Sequence, residues 1–177
     1  IRHAQSIYNK NKKITGMNDD SPLSDVGIVQ SAILLENIIK DLKDSNNPKR
    51  IISSPLIRAI QTALPLSQYY KAFIETDYSL IERNTGRASG TDEDILFQGV
   101  PTKELRNYIQ CIEPVTSMED RIKRVKKKVS DYPNHDIFLF THKIFAGHLI
   151  SGLSNDPADK NTILDNAKFY KIKGDVK

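Results

Sequence analysis

Two arginines and two histidines are spaced so that a single fold could bring them to one phosphoryl group: Arg2 and His3 near the start, Arg58, and His142 far along the sequence. A guanidinium is a planar, permanently charged fork that pairs bidentately with phosphate oxygens. An imidazole with a pKa of about 6.5 keeps a useful neutral fraction at neutral pH and can attack phosphorus. One histidine therefore suits a nucleophile, and the other a donor to an equatorial oxygen. Two arginines already neutralise phosphoryl charge, so the set calls for no metal. A leaving alkoxide still needs a proton, and Glu82, in a loop that carries Gly86 and Gly90, is the carboxylate placed to give it. Phosphoryl transfer is mostly positioning and electrostatic stabilisation, so a set this small suffices.

The elements that must position these side chains follow from periodicity. Apolar residues Val26, Ile28, Val29, Ala32, Ile33, Leu35, Ile38, Ile39 and Leu42 recur at helical spacing from Ser24 to Lys43, with Ser24 as N-cap. The turn chemistry of Asp44–Pro48 ends this helix. Arg50-Ile51-Ile52-Ser53 is a short β-branched strand, and Pro55 opens a helix through Leu56, Ile57, Ile60 and Leu64 that Pro65 is expected to kink or end. A second strand is expected over Ala72–Glu75, an irregular loop over Ser79–Gly90, and a helix start at Thr91. There Asp92, Glu93 and Asp94 read as dipole compensation in preference to a metal cluster. Met118, Ile122, Val125 and Val129 mark another helix whose remaining surface, Arg121 to Lys128, reads as a solvated basic face rather than a nucleic-acid surface, because no aromatics interleave with its lysines. Asp136–Thr141 is a strand buried on both faces, Ile144–Leu153 a helix, and Phe169–Lys173 a last strand.

Strands alternating with helices predict an α/β three-layer sandwich, with a mostly parallel mixed sheet and helices on both faces. His3, Ser53-Ser54 and Thr141-His142 then fall at the carboxyl ends of three strands, where open α/β sheets form their ligand crevice. The 177 residues suit one domain spanning 1–177. Hydrophobic residues at 38% and charged residues at 27% give material for a packed core and too much apolar content for intrinsic disorder. A formal charge of +4 points weakly to acidic partners, and most of it is local to the lysine-rich helix. The single cysteine, Cys111, excludes an intrachain disulfide framework and a multi-cysteine zinc site, and reads as packing beside Tyr108 and Ile112. No stretch is long enough for a membrane helix and no signal core is present, so a cytoplasmic location is expected.

Five segments in register carry a family resemblance. Arg2-His3-Ala4-Gln5-Ser6-Ile7-Tyr8-Asn9 resembles the Arg-His-Gly-Glu-Thr-x-x-Asn signature of the histidine phosphatase superfamily, the phosphoglycerate mutase-like branch 1. Ser21-Pro22-Leu23-Ser24-Asp25-Val26-Gly27, with Gln30 and Ala32, is similar to its Pro-Leu-Thr-x-x-Gly-x-x-Gln-Ala. Ser53-Ser54-Pro55-Leu56-Ile57-Arg58-Ala59-Ile60-Gln61-Thr62-Ala63 matches almost as it stands. Leu80-Ile81-Glu82 with Gly86 and Gly90, and Phe140-Thr141-His142, match the remaining two, and Asp165-Asn166-Ala167 leads into the last strand as a similar Asn does in relatives. The resemblance implies a phosphoglycerate mutase-like fold whose first strand is largely missing before residue 1. It implies that His3 is phosphorylated, that Arg2, Arg58 and His142 cradle the phosphoryl group, and that Glu82 is general acid and base. Asn9, Gly16, Ser21 and Arg83 are expected to face substrate. Departures are Ala4 and Gln5 for Gly and Glu, Ala88-Ser89 for a common Trp-Glu, and Lys143 where relatives carry Gly.

Within that family, mutases carry a long insertion between the general acid and the second histidine, and this sequence does not. Hydrolysis of small phosphomonoesters is therefore expected, with no cofactor. A cofactor-dependent phosphoglycerate mutase is the alternative, since Glu82-Arg83 matches the Glu-Arg of mutases, and a non-catalytic binding protein of the same fold is the remaining one. The partner expected is a small phosphorylated metabolite, with no nucleic acid and no membrane. His135 and His148 are not read as site residues.

Overall fold

The structure, a computed structural model, describes residues 1–94, 111–154 and 162–172. Its centre is a parallel sheet of β1 (Lys49–Ser53), β2 (Ile74–Thr76) and β3 (Asp136–Phe140), in the order β2-β1-β3. Ile51 pairs with Ile74 on one side and with Phe138 on the other. The start of the chain extends the sheet beyond β3: Thr141 donates its N–H to Ile1 O at 2.9 Å, and His3 donates to Thr141 O at 3.0 Å. Arg2 and Thr141 thereby form a parallel bridge.

Successive residues of a strand point to opposite faces, so each strand supplies two cores. Ile51, Phe138 and Phe140 face one side, where they meet Leu34 and Ile38 of α2 (Asp25–Asp41) and Ala59, Ala63 and Leu66 of α3 (Ile57–Tyr70). Ile52, Ile137 and Leu139 face the other, against Met118, Ile122 and Val125 of α4 (Val115–Ser130) and Phe145, Leu149 and Leu153 of α5 (Lys143–Leu153). Helices cover both faces of a parallel sheet, as expected of a three-layer α/β sandwich.

Several local expectations change. The helix over Ile57–Tyr70 runs through Pro65 and ends at Lys71, whose φ of 50° closes the last turn in the left-handed region. An interior proline costs roughly 3 kcal/mol; here Ala59, Thr62, Ala63 and Leu66 are buried on either side of it, and that packing holds both halves to the sheet. The apolar stripe of α2 is wider than its buried face: Val26, Ile28, Val29 and Ile33 are more than half exposed. Residues 168–172 form no strand. Lys168 O accepts from Arg2 N at 3.0 Å, but the neighbouring segment pairs only briefly and offers no longer ladder; Lys173 lies outside the described residues. Two short 3-10 turns, Tyr78–Leu80 and Gly86–Ala88, punctuate the loop around Glu82. Glu93 and Asp94 are helical and Asp92 bridges to Lys13, while residues beyond Asp94 lie outside the described set. No group of three metal-ligating side chains occurs among the described residues. Cys111 is exposed in a turn with φ of 71°, not packed in a helix, because Ile112 leaves there to bridge Thr85; Tyr108 lies outside the described residues.

On α4, Arg121 belongs to the buried stripe with Met118, Ile122 and Val125 rather than to the basic face. The remaining cations are largely tied down. Lys128 pairs with Glu75 at 2.7 Å and Asp77 at 2.6 Å, Lys123 with Asp120 at 3.0 Å, and Lys126 donates to Gly152 O at 3.4 Å. No described helix is long and apolar enough to cross a membrane.

Gly27 is where α2 crosses the backbone that follows His3. A Cβ there would fall 2.0 Å from Gln5 O. Gly27→Ala should therefore destabilise the protein by about 1–3 kcal/mol in urea unfolding, despite the better helix propensity of alanine, because backbone must move. An unchanged urea midpoint would show that the contact is soft.

Candidate active site

The chain reaches the carboxyl edge of the sheet three times. Arg2-His3 arrive from the Ile1–His3 extension, Ser53-Ser54 from β1, and Thr141-His142 from β3. Arg58 sits on the first turn of α3, immediately after Ser54-Pro55-Leu56-Ile57. Arg2, His3, Arg58, Glu82 and His142 are all buried, none more than 7% exposed. The His3 and His142 rings lie 5.0 Å apart between centroids, tilted by 57°.

His3 is held in one tautomer. Its Nδ1 lies 2.7 Å from Ala4 O, and a carbonyl can only accept, so Nδ1 carries the proton and Nε2 keeps its lone pair. Burial above all, and then the Arg58 charge, hold this imidazole well below its ordinary pKa. His142 is shifted the same way, again by burial first and Arg58 second. Its Nε2 is 2.8 Å from Ser54 Oγ, and that oxygen also accepts from Leu56 N at 3.3 Å. With Ser54 donating to Nε2, the proton of neutral His142 sits on Nδ1. That nitrogen is buried and has no protein partner in the structure. An unspent buried donor beside a free imidazole lone pair is suited to an anionic oxygen.

The family-like motif residues turn out to hold the backbone that carries His3. Thr62 Oγ1 accepts from Ala4 N at 2.9 Å, Gln30 Oε1 from Gln5 N at 2.9 Å, and Asn166 Nδ2 donates to His3 O at 3.1 Å. Ser24, the N-cap of α2, also donates to Gln5 Oε1 at 2.8 Å. Three segments distant in sequence, α2 with its cap, α3 and the turn at Asn166, thus fix one tripeptide.

Arg58 spends its terminal nitrogens on the carbonyls of Asp19 and Gly16, the latter at 3.3 Å. Asp20 Oδ1 in turn accepts from Ile57 N at 2.6 Å and caps α3. Asp19 Oδ2 accepts from Gly16 N at 3.0 Å and from the Ser89 hydroxyl. Asp19 and Asp20 were not singled out from the sequence; an Asp immediately before the Ser21-Pro22-Leu23 segment was the signal available. Arg2 donates to Leu164 O at 2.8 Å, and the Nε of each arginine is buried without a protein partner.

Glu82 accepts at Oε1 from Arg83 N at 2.8 Å and Phe145 N at 3.2 Å, and at Oε2 from Ile144 N at 3.4 Å. Ile144 and Phe145 are in the first turn of α5, so the carboxylate caps that helix from another segment. Burial pushes its pKa up, and the three N–H groups with Arg58 pull it partly back. A carboxyl held in this way keeps its proton to higher pH than an ordinary carboxylate does.

The other expected residues serve the loops around this centre. Asn9 completes a capping box with Ser6 at the four-residue helix α1 (Ile7–Lys10) and accepts from Asn166 Nδ2 at 3.3 Å. Ser21 Oγ accepts from Tyr8 N at 3.1 Å. Gly16 supplies its carbonyl to Arg58, and a Cβ there would meet Thr85 Oγ1 at 2.3 Å. Arg83 donates from Nε to Glu113 O at 2.9 Å. Lys143 is exposed at the start of α5. His135 packs edge-on against Tyr132, and His148 is half-buried on α5.

Because both imidazoles are held neutral, their proton NMR resonances should stay constant from about pH 8 to about pH 6 and titrate only below the ordinary value of about 6.5. Replacing Arg58 by Gln should raise both midpoints, since removing a cation favours the protonated ring. The unfolded chain takes up these protons near pH 6.5 and the folded chain does not, so the two rings withdraw stability as pH falls below that value. Midpoints of about 6.5 in the unaltered protein would contradict the assignment.

Comparison with known proteins adds an independent line. The family model for the histidine phosphatase superfamily (branch 1) matches residues 1–176. Over 135 residues the chain is 36% identical to a candidate phosphoserine phosphatase of Hydrogenobacter thermophilus, covering 74% of this chain but only 64% of that protein, under two thirds of its length. It is 28% identical over 175 residues to the uncharacterised phosphatase PhoE of Bacillus subtilis, covering 97% of this chain and 85% of that one. In fold it resembles a mycobacterial glucosyl-3-phosphoglycerate phosphatase solved with VO3, with a TM-score of 0.76, 23% identity, and coverage of 94% and 87%. With the model matched across nearly its whole length, this chain belongs to the histidine phosphatase superfamily, branch 1.

Proposed function

We propose that the chain is a phosphatase that hydrolyses small phosphomonoesters through a phosphohistidine on His3, acting as one catalytic domain. The observation that carries this reading is the buried His3 imidazole, whose Nδ1 is pinned to Ala4 O, beside the unspent Nδ1 of His142. Nε2 of His3 attacks phosphorus and the P–O bond to the alcohol breaks. Glu82 gives its proton to the departing alkoxide. Water then attacks the phosphohistidine, Glu82 takes a proton from it, the P–N bond breaks, and inorganic phosphate leaves. Arg2 and Arg58 match the equatorial charge, and His142 donates to an equatorial oxygen. Asn9, Gly16, Ser21 and Arg83 shape the approach to this centre, and the free alcohol is a small metabolite. Supporting the class of substrate, the relatives above carry the names of phosphatases of small phosphorylated compounds.

Rapid acid quench with a labelled phosphomonoester should trap an acid-labile phosphoprotein. His3→Ala should abolish the label and lower turnover by about 10³-fold or more. Absence of label with any of a panel of sugar phosphates, phosphoglycerates and phosphoamino acids would favour a non-catalytic role. Faster interconversion of 3- and 2-phosphoglycerate than phosphate release would make the chain a mutase, the reading to which the Glu82-Arg83 pair belongs.

The pH dependence should separate the two key groups. Activity needs His3 neutral and Glu82 protonated for the first step, so kcat/KM should fall on the alkaline side as Glu82 ionises, and burial should place that limb above the ordinary carboxylate range. Glu82→Gln should remove that alkaline limb and lower kcat/KM by about 10²-fold or more for alkyl esters. An alkaline limb unchanged in Glu82→Gln would assign it to another group.

A further inference from the structure

Arg121 lies on the buried face of α4, only 6% exposed, in a sequence context of lysines that are mostly at the surface. A guanidinium is costly to bury unless its donors are committed to fixed partners, and here the two terminal nitrogens are committed, one to the backbone beside Glu82 and one to a carboxylate, while Nε has no partner. Nη1 donates to Ile81 O at 2.6 Å and to Ser79 O at 3.4 Å. The guanidinium carbon lies 4.2 Å from the centroid of the Phe145 ring, and Phe145 is the residue whose N–H holds Glu82 Oε1. One side chain therefore touches both the residue that precedes Glu82 and the residue that orients its carboxylate.

The opposite side of the loop is held by its partner. Arg121 Nη2 pairs with Glu113 at 2.8 Å. Glu113 then grips the residues that follow Glu82: its carbonyl accepts from Arg83 Nε at 2.9 Å, its Oε2 from Asn84 N at 3.2 Å, and its own N–H donates to Asn84 O at 2.9 Å. The two paired side chains hold Ile81 and Asn84, the Glu113 backbone holds Arg83, and Glu82 is suspended among them.

We infer that Arg121 and Glu113 are a positioning pair for the proton donor, setting where the Glu82 carboxyl stands relative to the leaving oxygen. The inference rests on the reading of Glu82 as that donor. A pair that merely stabilised the fold would affect all substrates alike. A positioning pair acts through proton transfer, so its loss must weigh on esters whose alcohol is a strong base and spare those that leave unaided.

The test is kcat/KM over a series of phosphomonoesters running from p-nitrophenyl to alkyl, for the unaltered protein, Arg121→Met, Arg121→Lys, Glu113→Gln and Glu82→Gln, each checked by its melting curve. In Arg121→Met, alkyl esters should lose about tenfold to hundredfold and p-nitrophenyl phosphate less than about threefold, steepening the dependence on leaving group. Glu82→Gln should steepen it further, and adding Arg121→Met to it should cost nothing more on alkyl esters. Arg121→Lys should restore part of the loss. If Arg121→Met does not fold, Glu113→Gln, which keeps the shape of the side chain, carries the same comparison. Equal losses on every ester, or none, would overturn the positioning role while leaving the phosphatase reading intact. An unaltered protein that hydrolyses no ester in the series would overturn that reading and this inference together.

Discussion

A guanidinium with no exposure to solvent sits at the point where the layers of this fold meet, and much of the site follows from the need to keep Arg58 there. Its charge is accommodated by the carbonyls of Gly16 and Asp19, so the loop before Ser21 must wrap back over α3. Asp20 secures that wrap by capping the helix on which Arg58 stands. The same charge reaches both imidazoles and the Glu82 carboxyl, disfavouring protonation of all three. Burial amplifies these effects, because within a low-dielectric interior a fixed charge acts over a longer range than it does in water. In the proposed reaction a neutral nucleophile and a nearby permanent cation are thus one design, in which Arg58 would both receive the anion and keep His3 ready to attack it.

What the sequence made legible was the chemistry at the strand ends. His3, Arg58, Glu82 and His142 lie near the ends of short apolar runs or at turns, and β-branched Ile51 and Ile52 and the run Ile137–Phe140 mark the strands that deliver two of them, Arg58 and His142. Ser24 is a cap in both sequence and structure. Motif residues such as Gly27 and Gln30 were recognisable as a pattern, but their physical purpose was not: α2 must pass within a Cβ's breadth of Gln5, and Gln30 must reach its N–H. That is a contact between segments, and periodicity along one segment does not record it.

Residues were misread where tertiary packing overrode a local rule. Pro65 breaks a helix in isolation, but not one whose two halves are pressed onto a sheet. Arg121 looks like one more cation of a basic helix, and only its phase with Met118 and Val125 puts it inside. Residues 168–172 have the alternation of a strand, yet a strand is a pairing and not a property of one segment, and here Lys168 O accepts from Arg2 N with no ladder following. Val26, Ile28, Val29 and Ile33 continue an apolar stripe past the width that α3 and the sheet can cover.

Glu82 occupies the amino end of α5, a place at which a helix would otherwise receive an anion. In the proposed reaction the phosphoryl group is therefore held by side chains, beside a carboxylate that already fills the helix terminus. Bringing a second anion beside it offsets the Arg58 charge that favours the ionised carboxylate. In the proposed reaction the carboxyl would then draw a proton from solvent as the ester enters, coupling substrate binding to net proton uptake and loading the acid for the first chemical step.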